Sequence, residues 1–136
     1  MASIRSEIEV AAAPARVWDA LRDVGRIHER LVPGFVSDCR LEGDTRVVTF
    51  GNGMTVRERI VDIDDAQRRV VWSVVGAPFT HHNASVQAFA EGEGRTRLVW
   101  IADLLPDALA PQVGAMIDQG MAAMKRTLES SEERGE

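Results

Sequence analysis

The sequence predicts an α+β domain in which a seven-stranded antiparallel sheet wraps around a long C-terminal helix, with two short helices after strand 1. Two observations carry this prediction. Apolar residues recur with a helical period near the start of the chain and again over residues 106–131. Between these segments, apolar and polar residues alternate in short runs separated by turns. The 136 residues fit one domain, 1–136, with a frayed tail expected at 130–136.

The first elements are one strand and two short helices. A half-buried strand is predicted over residues 3–10, where apolar and charged residues alternate. A helix is predicted over 14–22, because Pro14 suits the first helical position. One or two further helical turns are predicted before the Pro33-Gly34 step.

Six more strands follow as consecutive hairpins. They are predicted at residues 35–42, 45–50, 54–64, 69–75, 82–89 and 96–103. The clearest turn is Gly51-Asn52-Gly53, because Asn-Gly supplies the positive φ angles of a tight hairpin. Successive antiparallel hairpins of this kind form a meander.

The last helix carries one apolar stripe. Its members are Leu109, Val113, Met116, Ile117, Gly120, Met121, Met124 and Leu128. A helix of this length reaches about 38 Å, enough to cross the concave side of a twisted sheet. The stripe is expected to face Ile4, Ile8, Val10, Phe35, Cys39, Leu41, Trp72 and Trp100, with an apolar cavity between helix and sheet.

Composition restricts the partners. The net charge of −5 and the absence of a basic run argue against nucleic acid or an anionic membrane. Cys39 is the single cysteine, so no intrachain disulfide forms, which fits a reducing cytoplasm. No signal peptide and no apolar run of transmembrane length is visible, so we expect a cytoplasmic protein without membrane insertion. The oligomeric state stays open between a monomer and a weak dimer.

The order of elements resembles the START-like, or SRPBCC, superfamily, which includes polyketide cyclases, lipid-transfer domains and the birch pollen allergen fold. The residues that carry the resemblance are Pro14-Ala15-Arg16-Val17-Trp18-Asp19-Ala20-Leu21, Pro33-Gly34, Gly53, Val56-Arg57-Glu58-Arg59 and Gly94-Arg95-Thr96-Arg97-Leu98-Val99-Trp100. The resemblance covers nearly the whole chain and implies a helix-grip fold with a small-molecule cavity. Many relatives place a Trp before the Pro-Gly step, where this chain has Leu31-Val32, so the cavity mouth is expected to differ.

Glu58 and His82 are the candidate acid/base residues. Glu58 faces inward if Val56 and Ile60 do, because side chains on a strand alternate. It is then either a functional carboxylate, a carboxylate held by a structural Arg, or a solvated group at a bulge. His82 shares its face with Ala84, and an imidazole titrates near neutral pH.

The opposite alternation over residues 81–89 would turn Asn83 inward and give a polar pocket. Apart from this alternation, the alternative to a proton shuttle at His82 is an ordinary histidine at the rim of the cavity.

Other residues are candidates for ligand contact. The predicted ligand-binding set is Trp72, Asn83, Trp100, Met116, Gly120, Met124, Phe35 and Cys39. Ordinary core packing is the alternative for each, and Cys39 is interpreted as a small buried hydrophobe and not a nucleophile. No HExxH or CxxC spacing occurs, so neither a metal nor another cofactor is expected.

Three functions are compatible with these features. The first is a binding protein for a small hydrophobic or amphipathic molecule. The second is a polyketide cyclase or dehydratase-like enzyme in which Glu58 and His82 act as acid and base. The third is a structural or regulatory partner domain, which an exposed apolar patch on the strands would favour.

Overall fold

A seven-stranded antiparallel sheet forms the body of the protein, in a computed structural model that describes residues 2–133. Its strands are β1 (Ala2–Val10), β2 (Val36–Glu42), β3 (Thr45–Phe50), β4 (Thr55–Asp64), β5 (Arg69–Val75), β6 (His81–Ala90) and β7 (Thr96–Leu105). Their order in space is β1-β7-β6-β5-β4-β3-β2, so strands 2 to 7 form the predicted meander and β1 pairs with β7. The predicted fold class is confirmed.

Three helices complete the fold: α1 (Pro14–Arg22), α2 (Ile27–Arg30) and α3 (Ala110–Glu133). A short 3-10 turn at Asp107–Leu109 precedes α3, where we predicted one continuous helix from residue 106. Pro111 is accommodated in the first turn of α3, where backbone N–H groups have no intrahelical partner. The helix continues through Glu133, beyond the start of the expected frayed tail, and residues 134–136 lie outside the described part of the chain.

Helix α1 is fixed to the turn between β4 and β5. The indole nitrogen of Trp18 donates a hydrogen bond to Asp65 Oδ1 at 2.8 Å, and Arg22 Nε donates to the same oxygen at 2.9 Å. Trp18 is itself buried, so its indole serves packing at this end of the sheet.

The C-terminal half of α3 is tied to the end of β1. Lys125 Nζ donates to the backbone oxygen of Glu9 at 2.6 Å, and the backbone N–H of Ala11 donates to Glu129 Oε2 at 2.9 Å. Ala123 and Leu128 on this half are buried. The tightly packed region therefore lies here, and the N-terminal half of α3 spans the more open end of the sheet.

Two side chains on the strands depart from the predicted pattern. Leu41 was expected to face α3, but it is 52% exposed and lies over Gly25 near the end of the edge strand β2. In β4 a bulge between Ile60 and Asp62 shifts the register, so Ile63 faces inward where simple alternation from Ile60 predicts Asp62. None of the described helices is long and apolar enough to span a bilayer.

Candidate functional site

A cavity of about 160 Å³ lies between the concave face of the sheet and the N-terminal half of α3. Most of its lining is aliphatic or aromatic, from β3 to β7 and from both α2 and α3. The lining includes Phe35, Arg46, Phe50, Met54, Glu58, Trp72, Val74, Phe79, His82, Ala84, Val86, Trp100, Ala102, Met116, Ile117 and Met124. An interior of this kind, apolar with a few polar groups, is typical of small-molecule sites.

Glu58 faces this cavity, as the alternation along its strand predicts, and it is only 7% exposed. Arg46 lies opposite it on β3, and Arg46 Nε donates to Glu58 Oε1 at 2.7 Å. The guanidinium also donates to the backbone oxygen of Val24 at 3.3 Å and lies 5.2 Å from the centre of the Trp72 ring. The carboxylate is therefore held by a structural Arg, and the pair adds no net charge to the wall.

His82 also faces the cavity, together with Ala84 and Val86 on β6. Its Nδ1 accepts a hydrogen bond from the backbone N–H of Val74 at 3.1 Å, so the proton of the neutral ring resides on Nε2. Burial lowers the pKa of His82 from 6.5 to about 4, and the neighbouring His81 adds to this effect. At neutral pH the ring is an uncharged donor that packs 4.9 Å from Phe79 between ring centres.

Glu58 and His82 thus share one wall. In the register of the sheet Val74 lies opposite Glu58, and the His82 ring bonds to the backbone of Val74. Only strand β5 separates the two residues. A single ligand above Val74 can lie near both.

Two tryptophans form the centre of the wall. The rings of Trp72 and Trp100 meet edge to face, 5.6 Å apart between centres. The Trp100 indole Nε1 is buried, and no acceptor for it is present among the described residues. A buried donor without a partner costs about 1–3 kcal/mol. This indole N–H is therefore the clearest unsatisfied hydrogen-bond donor in the site.

The mouth lies beside the hairpin between β3 and β4. Phe35 and Phe50 meet edge to face there, with ring centres 5.4 Å apart. Met54 and Met116 complete the opening, and Met54 is 41% exposed. The unbranched methionine side chains can adapt to the shape of an entering molecule.

Three residues of the predicted ligand-binding set lie outside the cavity lining. Cys39 is buried beneath Val24, whose oxygen is 3.6 Å from its Sγ, and burial raises the pKa of its thiol. Asn83 lies on the opposite face of β6. Gly120 lies against the Trp100 ring, where a Cβ would come within 2.9 Å of the ring edge, so it serves close packing.

The remaining members of the predicted set do line the cavity, namely Phe35, Trp72, Trp100, Met116 and Met124, together with Glu58 and His82. Sequence reasoning missed Arg46 and Phe79. The signal for Arg46 was present, because it shares strand parity with Val48 and Phe50 and must face inward with them. Phe79 lies in the loop before β6, where no periodicity applies.

No group of three or more His, Cys, Asp or Glu side chains within residues 2–133 could hold a metal ion. The polar side chains of the lining are Gln112, the Arg46–Glu58 pair, and the donors Trp100 Nε1 and His82 Nε2.

The profile of the family described as polyketide cyclase/dehydrase and lipid transport matches residues 1–129. The chain belongs to this family. The START-like resemblance noted in the sequence is thereby confirmed. A comparison with curated protein sequences finds no match.

Solved structures show the same fold. A protein from Thermobifida fusca is 28% identical, with a TM-score of 0.77 over 95% of this chain and 91% of that one. A START superfamily protein from Mycobacterium smegmatis is 12% identical, with a TM-score of 0.74 over 98% and 99%. Norcoclaurine synthase from Thalictrum flavum, in complex with dopamine and hydroxybenzaldehyde, is 16% identical, with a TM-score of 0.73 over 99% and 88%.

Proposed function

We propose that the protein binds a small hydrophobic or amphipathic molecule in the cavity between the sheet and α3. The observation that carries the proposal is the apolar cavity of about 160 Å³. Apolar cavities of about 150 Å³ in other proteins bind benzene. The space therefore suits a molecule built on a single ring.

The comparisons support a role in binding. The family description includes lipid transport, and the norcoclaurine synthase structure of the same fold holds two single-ring molecules. A cavity of this volume suits a compact molecule better than an elongated lipid chain. A compact ligand is the better match to these walls.

The proposal is tested with two substitutions on neighbouring residues of β6. Ala84→Leu fills the cavity, whereas Asn83→Leu adds the same side chain on the opposite face. Benzene should raise the melting temperature of the wild type and of Asn83→Leu, because a ligand that binds only the folded state stabilises it. The shift should be lost in Ala84→Leu. No shift in the wild type, or an undiminished shift in Ala84→Leu, would contradict binding in this cavity.

An acid/base enzyme is the second candidate, and the position of Glu58 and His82 on one wall favours it. We propose that His82 Nε2–H would donate to a ligand carbonyl oxygen while the Glu58 carboxylate removes a proton from the adjacent carbon. The products of this step are an enolate, whose oxygen keeps the hydrogen bond from His82 Nε2–H, and a protonated Glu58 carboxyl group. Arg46 weakens the case, because an ion-paired carboxylate is a poorer base.

This second candidate predicts exchange of hydrogen for deuterium in the methyl group of acetophenone dissolved in D₂O with the protein. Proton NMR would follow the loss of the methyl signal. Glu58→Gln should abolish exchange, whereas Glu42→Gln, which changes an exposed carboxylate, should leave it intact. Exchange no faster than in buffer alone would remove this candidate and leave the binding function untouched.

A further inference from the structure

The charges that line the cavity cancel. Arg46 and Glu58 are the basic and the acidic side chain of the lining, and they form an ion pair at 2.7 Å. His82 is uncharged there, because burial keeps its pKa at about 4. A charged ligand would therefore lose its hydration without meeting a free opposite charge, which is costly in an apolar interior.

Two residues of the apolar wall present hydrogen-bond donors. Trp100 Nε1 is buried and unpaired, and His82 Nε2 carries a proton because Nδ1 is occupied by the Val74 N–H. Both belong to residues that line the cavity. A ligand that supplies an acceptor removes the cost of the unpaired indole donor.

We propose that the ligand is an uncharged, single-ring molecule that carries a hydrogen-bond acceptor such as a ketone oxygen, and that the cavity discriminates against carboxylates of the same shape. This inference rests on the proposed binding function and names the ligand class of that site. The acceptor pairs with Trp100 Nε1, and the ring packs between Trp72, Trp100 and α3. The cavity discriminates against anions because Glu58 already neutralises the charge of Arg46.

Three probes of nearly equal shape test the proposal: acetophenone, benzoate and cumene. They present a ketone, a carboxylate and an apolar branch on the same ring. Binding to the full-length protein is measured from chemical shifts in ¹H–¹⁵N spectra. Acetophenone should bind about tenfold or more tightly than benzoate, since an unpaired charge is costly to bury.

The indole signals report the position of the acceptor. The Trp100 indole proton should move downfield with acetophenone and not with cumene, because only the ketone accepts a hydrogen bond. Trp18 is the internal control, since its indole nitrogen already bonds to Asp65 outside the cavity. The Trp100→Phe variant identifies the signal. It should also weaken acetophenone binding about three- to tenfold while cumene binding changes less.

The Glu58→Gln variant should remove the discrimination against benzoate. The substitution keeps the shape of the side chain but leaves Arg46 with an uncompensated charge. Benzoate should then bind about tenfold or more tightly than to the wild type, while acetophenone binding stays within about twofold. Merely structural damage at this position would weaken both probes together.

The outcomes separate the two levels of the proposal. If none of the three probes binds, the binding function itself fails. If cumene binds but benzoate binds as well as or better than acetophenone in the wild type, the function stands and the ligand class is wrong. If acetophenone leaves the Trp100 indole signal unmoved, the assigned donor is wrong. Preference for acetophenone with a shifted Trp100 signal supports the proposal, and it does so even if Glu58→Gln does not fold.

Discussion

The Arg46–Glu58 pair is buried from water on the floor of the cavity, with 5% and 7% of the two residues exposed. Its energetic value depends on both partners being present, because an isolated buried charge loses its hydration without compensation. The guanidinium is further held by the oxygen of Val24 and by the face of Trp72. Removal of one partner and removal of both should therefore have very different effects.

The first prediction is a double-mutant cycle on this pair. Arg46→Met leaves Glu58 unpaired and should lower the free energy of unfolding by about 3–5 kcal/mol. The double variant Arg46→Met/Glu58→Met should recover most of this loss, since two apolar side chains of similar volume replace the pair. Urea unfolding measures each corner of the cycle. A loss in the double variant equal to the sum of the losses in Arg46→Met and Glu58→Met would show that the pair is not coupled.

His82 links the stability of the fold to pH. Its folded-state pKa of about 4 lies below the usual 6.5, so the unfolded chain binds more protons between these two pH values. Stability that is present above about pH 6.5 is therefore lost as the pH falls toward 4. The side chain cannot be protonated on Nδ1 without losing the bond from Val74.

The second prediction follows from this loss of stability at low pH. Between pH 7 and pH 5 the wild type should lose about 2 kcal/mol of unfolding free energy through this histidine. His82→Asn keeps an acceptor near the position of Nδ1 but does not titrate. Between pH 7 and pH 5 its unfolding free energy should therefore fall by about 2 kcal/mol less than that of the wild type. Urea unfolding at both pH values measures the difference. Parallel pH profiles for the two proteins would exclude the linkage.

Alternation along single strands was enough to place Glu58 and His82 on one face. It did not identify the partner of Glu58, because pairing between Arg46 and Glu58 depends on the register of β3 against β4. The same rule placed Cys39 in the predicted ligand-binding set, because it shares the inward parity. The residue lies beneath Val24, away from the cavity. Alternation along a strand predicts which face of the sheet a side chain lies on. Its position along that face depends on the register of all the strands.

At the scale of elements, α3 contains two glycines with different surroundings. A Cβ at Gly120 would lie 2.9 Å from Cζ3 of Trp100 and 3.3 Å from Cε2 of Phe35. A Cβ at Gly114 would meet no heavy atom within 4 Å. Gly120 thus permits close approach of the helix to the aromatic wall, whereas Gly114 has no such packing role.

The third prediction compares alanine at these two positions. Gly114→Ala should stabilise the protein by about 0.5–1 kcal/mol, the gain in helix propensity. Gly120→Ala has the same gain but forces the Trp100 ring to move, so the two variants should differ by about 1–3 kcal/mol, the usual cost of overpacking. Thermal or urea unfolding of both variants gives this difference. Equal stabilisation would mean that the Trp100 ring yields without cost.

The elements themselves were largely predictable, since hydrophobic periodicity changes cleanly from two to the helical value. Period alone could not predict the bulge in β4, which turns Ile63 inward in place of Asp62. The 3-10 turn before α3 was missed for a similar reason, because both a helix and a tight turn tolerate the prolines near residues 106–111.

At the scale of the whole molecule, the sheet and α3 are held together at one end and separated at the other. Hydrogen bonds from Lys125 and to Glu129 fix α3 to the end of β1, while the other half of the helix covers the cavity. The sequence predicted that the sheet packs around α3, but not the volume of the cavity between them. That volume is the small difference between the space enclosed and the side chains that fill it. A volume of that kind emerges only from the assembled fold.

The most direct test of the account is the position of bound cumene, determined from intermolecular NOEs in the NMR spectrum of the isotope-labelled protein. We predict NOEs from the ligand to the indole protons of Trp72 and Trp100 and to the methyl groups of Val86 and Ile117, all of which line the cavity. NOEs confined to exposed Val75 and Ile101 on the outer face of the sheet would contradict a ligand-binding cavity between the sheet and α3.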